Sequence, residues 1–569
     1  MRNYHDGGEA ILEAFRNMNV EYVISSPGSE WPSFWEAMAR QKRDGTPGPT
    51  YMDCGHETIA VTMASAYTKI TGRMQAVLLH AGAGILQGSM AVGAARAMEV
   101  PMLVMSGEAL GYGESEFDPG SQWYRNLSIV GGTQRLIEPV VKWAQQAPAP
   151  ETLYESVVRA GELAQRQPKG PTYLCVSMET MLHEWLKPDA LRKIPAAPKS
   201  QPLPEDIAKV AALIAKAKFP VISAENVGPN QKAFDALVEL AELAAIPVVE
   251  GQGAFFGNFP KSHDLYLGAQ IEPFYGKMDL VLLVESRAPW YPPSNLPKGA
   301  EIVAISENPL KGHMVYQTMH AGHYLEGDVA STLKLLSEAL RALGVDKAKV
   351  AERRAHWAGE HRKWQKKLQD GESKAAEMDT ISTPLLAKAL REAMPADTAY
   401  VDETIVHSNA LRDHLHWDDP LTFFRAPSGL GQGLGYALGV KLAMPKRPVV
   451  MAIGDGTFMY NPVVPAIAFA DEHKLPLLIV IFNNAKYAAM QHFHDSFYPE
   501  GTAITTKDYY GVNIKGPKYE EAVRMVDGYA AEVSKPAELK RALQEALKSI
   551  QAGKTAILNV MMPGAARLR

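Results

Sequence analysis

An aspartate between two glycines, Gly454-Asp455-Gly456, is followed one strand–helix–strand crossover later by a pair of asparagines, Asn483-Asn484. The segment before the acid reads PVVMAI and the segment before the amides reads LPLLIVIF, both typical of buried parallel strands. If the two strands are neighbours, Asp455 and Asn484 sit together at the carboxyl edge of one sheet, where α/β folds place ligands. A carboxylate and an amide oxygen are hard donors of the kind Mg²⁺ prefers, with phosphate oxygens completing its shell. The flanking glycines would let an anion approach the backbone closely. A tight turn and an asparagine cap would explain either motif alone; the two together at crossover spacing favour a metal and phosphate site.

The rest of the chain must supply that sheet and others like it. EAILEAFRNMN has helical spacing, VEYVISSPGS reads as a strand ending in a Pro-Gly turn, and ETIAVTMASAYTKITG reads as a second helix. Strands QAVLLH and VPMLVMSGE follow, so the first block alternates strands and helices as parallel sheets require. KIPAAPKSQPLPED is a linker candidate. A second block holds FPVISAEN, IPVVEG, MDLVLLVES and AEIVAIS, and ends near LKLLSEALRALG. The charged stretch AERRAHWAGEHRKWQKKLQDGESKAAEMD reads as a solvated connecting helix. A third block begins near ISTPLLAKALREAMP and runs through TAYVDE, SGLGQGLGYALG and the two strands named above to a final helix and the strand TAILNVMM. No short repeat is visible.

Composition agrees with a globular protein of about three domains. The chain has 569 residues, 46% hydrophobic and 21% charged. A formal net charge of −5 argues against a nucleic-acid or anionic-membrane surface. Two cysteines, Cys54 and Cys175, do not make a disulfide scaffold, so a reducing cytoplasm is expected. The opening MRNYHDGGEAILEAF does not read as a secretory leader, and no apolar run is long enough to span a bilayer.

The GDG and NN motifs resemble the diphosphate-binding motif of thiamine diphosphate-dependent enzymes. The resemblance implies three Mg²⁺ ligands: Asp455, the Asn484 side chain and the backbone carbonyl of Lys486. Gly454, Gly456 and Thr457 would face the diphosphate, and His407 and Ser408 of DETIVHSNAL resemble a further phosphate-facing helix start. The family activates its cofactor with a glutamate at a helix start in the first domain. Glu57, in the frame CGHETIAVTMASAYTKITG, is similar to it, although a lone glutamate there also serves the helix dipole. In SGLGQGLGYALG, Leu430 resembles the aliphatic wedge that bends the cofactor and the Ser428 carbonyl a partner of its aminopyrimidine; the alternative is a glycine-rich turn capping a helix.

The resemblance spans essentially the whole chain and implies an α/β protein of three doubly wound parallel-sheet domains. These are an aminopyrimidine-binding domain over 1–190, a middle domain over 200–345, and a diphosphate- and Mg²⁺-binding domain over 375–569. It also implies a homodimer or homotetramer whose active sites are shared between subunits. The style is that of benzoylformate decarboxylase and the acetolactate synthase-like group. Ser29 of SPGSEWP and His80 of QAVLLHAGAGILQG resemble the active-site serine and histidine of the decarboxylase, and histidine suits proton transfer near neutral pH. The decarboxylase's second histidine has no clear match, since the corresponding stretch reads ESRAPWYPPSN, and the His-His pair of pyruvate decarboxylases is absent. EFDPGSQWYRN and EPVVKWA look closer to acetolactate synthase, with Gln122 and Lys142 as candidates.

KYAAMQHFHDSF should line the substrate pocket through Met490, His492, Phe493 and His494, and Trp290 and Tyr291 could add aromatic walls. No glycine fingerprint demands FAD in the middle domain, and an ADP-like site stays open there. The expected reaction is decarboxylation of a 2-oxo acid, bulky or aryl, to an aldehyde. Carboligation of the acetolactate synthase type, or 2-hydroxyacyl-CoA lysis, is the alternative. A cofactor-binding paralogue without turnover is disfavoured by the presence of both Glu57 and Asp455.

Overall fold

The computed structural model describes residues 5–108, 117–118, 129–251, 253–314 and 320–563. Among the described residues seventeen strands form three sheets in which every neighbouring pair is parallel. Inner strands such as LVLLV (Leu280–Val284) and LIVIFN (Leu478–Asn483) are buried along their whole length. That is why they read as continuous apolar runs: both faces of a parallel sheet are covered.

The chain divides into two compact units. One comprises 1–198 with 427–445 and 461–475. Its sheet contains β1 (Tyr22–Ser26), β2 (Thr50–Asp53), β3 (Gln75–Leu79), β4 (Met102–Glu108), β5 (Trp143–Gln146) and β6 (Pro171–Ser177), in the order β2-β1-β3-β4-β6-β5. The order reverses between β1 and β3, so the crevice at their carboxyl ends is a topological switch point. Ala10, Phe15, Trp31, Phe34, Leu103 and Leu174 belong to the core on one face of this sheet.

Helix Gly433–Ala443 belongs to this same unit and packs on helix Glu57–Thr71. Two glycines permit the contact. A Cβ at Gly435 would lie 2.1 Å from Thr62 Oγ1, and one at Gly439 would lie 2.4 Å from the Met63 carbonyl oxygen. The glycine-rich segment therefore does more than turn the chain: Gly435 and Gly439 let two helix backbones meet.

The other unit comprises 199–426, 446–460 and 476–569 and holds two sheets. The first has β7 (Pro220–Ala224), β8 (Val248–Val249), β9 (Leu280–Val284), β10 (Glu301–Ser306) and β11 (His323–Glu326), in the order β11-β10-β9-β7-β8. The second has β12 (Ala399–Glu403), β13 (Phe423–Arg425), β14 (Val449–Gly454), β15 (Leu478–Asn483), β16 (Tyr529–Val533) and β17 (Ala556–Met561), ordered β13-β12-β14-β15-β17-β16.

The charged stretch is a single helix, Lys347–Ala376, but it is not a simply solvated connector. Trp357, His361, Glu372 and Ala375 are buried, and Trp357 joins the core of the β7–β11 sheet. The apolar stripe is narrow, and the many charges around it hid it from the sequence reading. Both cysteines are buried free thiols. Among the described residues no helix is long and apolar enough to cross a membrane.

Candidate active site

At the carboxyl edge of the first sheet, β3 ends at Leu79 and delivers His80 into the turn before helix Gly82–Ala97. Glu57 is the first residue of its helix, whose start is capped by His56: Nδ1 accepts the Thr58 N–H at 3.1 Å. The two side chains flank one point of helix Gly82–Ala97. A Cβ added at Gly84 would lie 2.9 Å from His80 Cβ and 3.4 Å from Glu57 Oε1. Glu57 is half-buried, and among the described residues its carboxylate has no hydrogen-bond partner. It is therefore available to bond a ligand.

His80 is held from behind by Glu30, a residue the sequence reading passed over. Nδ1 lies 2.9 Å from Glu30 Oε2 and 2.7 Å from Oε1. Only the Oε2 contact has hydrogen-bond direction, and Oε1 is otherwise unpartnered, so Oε2 is the acceptor and Oε1 a near charge. The bond to Glu30 lifts the His80 imidazole above its ordinary range, against the opposing effect of burial, with smaller help from the charges of Glu30, Glu57 and Glu108. Nε2 has no partner among the described residues, and the side chain is a quarter exposed. Ser29 is exposed on the turn just before Glu30. The available signal for Glu30 was slight: an acid between Ser29 and Trp31 in the turn GSEWP.

In the same unit, Gly429 (φ +94°) and Gly431 (φ +92°) bracket Leu430. Both take backbone conformations that favour glycine, and together they present Leu430 from a tight double turn. Ser428 is exposed, and its carbonyl accepts the Gln432 Nε2–H at 2.6 Å. A carbonyl has two lone pairs, so a ligand donor can share it.

The edge of the third sheet has a different balance. Asp455 follows β14 and is 2% exposed. Among the described residues its Oδ2 has no hydrogen-bond partner, and burial pushes the carboxyl up to about 6 despite backbone N–H bonds that lower it. Asn484 follows β15, the neighbour of β14, so the expected juxtaposition of the two strand ends is present. Asn484 Oδ1 accepts the Lys486 N–H at 3.0 Å, closing a turn through Ala485, which sits at φ +53°. Gly456 is sterically required, since a Cβ would lie 2.4 Å from the Tyr487 ring; at Gly454 a Cβ would meet only ordinary contacts. Thr457 is buried.

These residues fit a bound cation. An orphaned buried carboxylate oxygen, an amide oxygen and a turn carbonyl are a hard donor set of the sort Mg²⁺ takes. Among the described residues no cluster of three His, Cys, Asp or Glu side chains offers an alternative metal site.

His407 and Ser408 diverge in role. His407 Nδ1 is 2.8 Å from Thr383 Oγ1 and Nε2 is 3.5 Å from Asn484 Nδ2, so His407 stands beside the amide. Burial keeps its imidazole below the ordinary range. The expectation that Ser408 faces a phosphate is corrected: it is buried, its hydroxyl donates to Asp402 and accepts from Arg425 at 2.6 Å.

The remaining candidates have varied settings. Lys142 donates to the carbonyls of Leu163 and Arg166, capping a helix end. Trp290 is buried in the core of the β7–β11 sheet, with Nε1 donating to the Pro293 carbonyl, while Tyr291 is 86% exposed. Met490, His492, Phe493 and His494 lie on helix Ala488–Phe497, which has no buried residue. Gln122 lies outside the described residues.

Family models match three stretches of the chain. Residues 5–122 match the N-terminal TPP binding domain of thiamine pyrophosphate enzymes, 207–336 the central domain, and 406–560 the C-terminal TPP binding domain. The chain is 26% identical to a benzoylformate decarboxylase of Pseudomonas aeruginosa, over 96% of this chain and 97% of that one. It is 26% identical to the acetolactate synthase large subunit IlvG of Mycobacterium tuberculosis, over 97% and 95%. In fold it is similar to the thiamine diphosphate-dependent 4-hydroxybenzoylformate decarboxylase of Rhodococcus jostii, with a TM-score of 0.78, 22% identity, and 98% and 99% of the two chains covered. The chain belongs to the thiamine diphosphate (thiamine pyrophosphate) enzyme family, and is an enzyme of the decarboxylase and acetolactate synthase type.

Proposed function

We propose that the protein decarboxylates a 2-oxo acid to an aldehyde, using thiamine diphosphate and Mg²⁺. Asp455, the Asn484 side chain and the Lys486 carbonyl would hold the metal, with Gly454, Gly456, Thr457 and His407 around the diphosphate. Glu57, the Ser428 carbonyl and Leu430 would orient the aminopyrimidine end. The bound cofactor supplies an electron sink for the pair released when CO₂ departs. The chain's own residues supply position and protons: Glu57 bonds the pyrimidine ring, and His80, through Nε2, delivers a proton to the substrate-derived carbon that lost CO₂. Ser29, exposed beside them, would bond the substrate carboxylate.

The observation that carries this reading is the pairing of Glu57 and His80 about Gly84, with the His80 ring bonded to Glu30, which lifts its imidazole above the ordinary range. A proton donor at that point favours release of aldehyde over addition to a second carbonyl. The reading includes the division into domains over 1–190, 200–345 and 375–569, and a homodimer or homotetramer sharing its sites. Mixing Glu57→Gln with Asp455→Ala chains would test sharing, by recovery of activity in heterodimers.

The reaction is tested with a panel of 2-oxo acids, each with and without an acceptor aldehyde or acyl-CoA, following CO₂ and product mass. Aldehyde without acceptor supports decarboxylation. CO₂ only with acceptor, or cleavage of a 2-hydroxyacyl thioester without CO₂, replaces it with a carboligase or a lyase.

A further inference from the structure

Glu30 is a glutamate with 1% of its surface exposed, and buried carboxylates are rare unless paired. Its partner is the His80 ring described above. The space around the pair is reserved by three glycines from three different elements. A Cβ at Gly28 would lie 1.7 Å from His80 Nδ1 and 2.3 Å from Glu30 Oε2. One at Gly107, in β4, would lie 2.4 Å from Glu30 Cβ, and one at Gly84 2.9 Å from His80 Cβ. None of the three has a positive φ. Backbone conformation therefore gives no reason for glycine at these positions, whereas room for the pair does.

We propose that Glu30 is a positioning residue for the reaction: from a cradle of Gly28, Gly84 and Gly107 it fixes His80 with Nδ1–H on its carboxylate, so that Nε2 is the edge that carries the transferable proton. The proposal rests on the reading of His80 as proton donor. In the step it serves, the Nε2–H bond breaks, a C–H bond forms at the carbon that lost CO₂, and the N–H electron pair stays on the ring. The ring is then a neutral imidazole, still bonded to Glu30 through Nδ1–H, and solvent returns the proton to Nε2. The other charged groups facing the ring, Glu57 from its helix and Glu108 at the end of β4, are also carboxylates and act in the same sense. Glu30 differs from them in contact: among the described residues it alone hydrogen-bonds the ring, and it does so through Nδ1, leaving Nε2 without a protein partner.

The test is Glu30→Gln, which keeps shape and a possible acceptor but removes the charge, with Glu30→Asp as the conservative variant. Histidine-labelled holoenzyme is titrated by NMR, His80→Gln assigns the resonance, and kcat and KM for a turned-over 2-oxo acid are measured across pH. The expected result in Glu30→Gln is a His80 midpoint lower by about one unit or more, a tenfold change in its protonation equilibrium. The alkaline limb of kcat should move with it, KM should change less than about threefold, and Glu30→Asp should recover part of the shift. An unmoved midpoint overturns the proposal. A midpoint that moves while the kcat profile stays put upholds the Glu30–His80 assignment and removes His80 as donor, so the two failures are separable. If Glu30→Gln does not fold, the unsubstituted enzyme still decides: Nδ1 protonated on both sides of an elevated midpoint supports the proposal, and an ordinary midpoint or an Nε2–H neutral tautomer overturns it.

Discussion

The first and third sheets have the same strand order relative to their own chains: β2-β1-β3-β4-β6-β5 and β13-β12-β14-β15-β17-β16. Equivalent strand ends carry the candidate residues. The third strand of one delivers His80 and of the other Asp455; the fourth delivers Glu108 and Asn484. What differs is the charge balance. In the first sheet the buried carboxylate of Glu30 has its partner built in, the His80 ring. In the third, Asp455 Oδ2 is buried with no partner among the described residues. Under the proposed function one topology would serve two tasks: an edge whose buried carboxylate is paired with a histidine suits moving protons, and an edge with an unpartnered buried carboxylate oxygen suits holding an external cation.

The largest expected effect breaks the first edge alone. His80→Ala should lower kcat for aldehyde formation by ~10²–10⁴-fold, the usual range for loss of a general acid, while cofactor affinity measured by calorimetry stays within about threefold. In the unsubstituted enzyme kcat should hold below the raised His80 midpoint and fall as pH rises through it. The stability that the pair contributes has the same sign: it is complete below about pH 6.5, the unfolded value, and is lost as pH climbs through the folded midpoint.

The third edge should respond in binding. Asp455→Ala should weaken Mg²⁺–thiamine diphosphate by ~10²–10³-fold, as removing one partner of a buried charge pair does. The difference in charge balance is sharpened by Asp455→Asn in protein freed of ligand: its melting temperature should rise, because the orphaned charge is gone. A lower melting temperature would mean that Asp455 is satisfied without a cation, and the contrast between the sheets would fail.

A smaller effect comes from the glycine contact between helices Glu57–Thr71 and Gly433–Ala443. Gly439→Leu should cost about 1–3 kcal/mol in chemical denaturation through overpacking against Met63 and Ala66. The smallest comes from the Asn484 turn. Ala485 occupies a left-handed conformation that costs an L-residue roughly 1–2 kcal/mol, partly offset by the greater unfolded entropy of glycine. Ala485→Gly should therefore stabilise by less than about 1 kcal/mol, and a clear destabilisation would contradict the strain.

Local patterns carried much of this into the sequence. Continuous apolar strands ending in GDG or NN revealed both the sheet class and the neighbouring strand ends that carry Asp455 and Asn484, because in parallel sheets burial and strand ends are written along one short segment. The placement of Glu57 at a helix start and of His80 just after a strand was legible from their frames. Glu30 was not, because its meaning lies in a partner 50 residues away and in glycines from three elements. Ser408 misled for the converse reason: its place at a helix start looked open to a ligand, while Asp402 and Arg425 claim its hydroxyl. The common strand order of the two sheets left no visible trace, since topology constrains burial and turn placement rather than residue identity.

The proposed function rests on Glu57 as the residue that activates the bound cofactor. Its most direct test is the rate of deuterium exchange at C2 of enzyme-bound thiamine diphosphate, in the unsubstituted protein and in Glu57→Gln. The account predicts exchange slower by ~10²-fold or more in Glu57→Gln, with cofactor affinity within about threefold. Unchanged exchange with cofactor bound would contradict it and remove Glu57 from the chemistry.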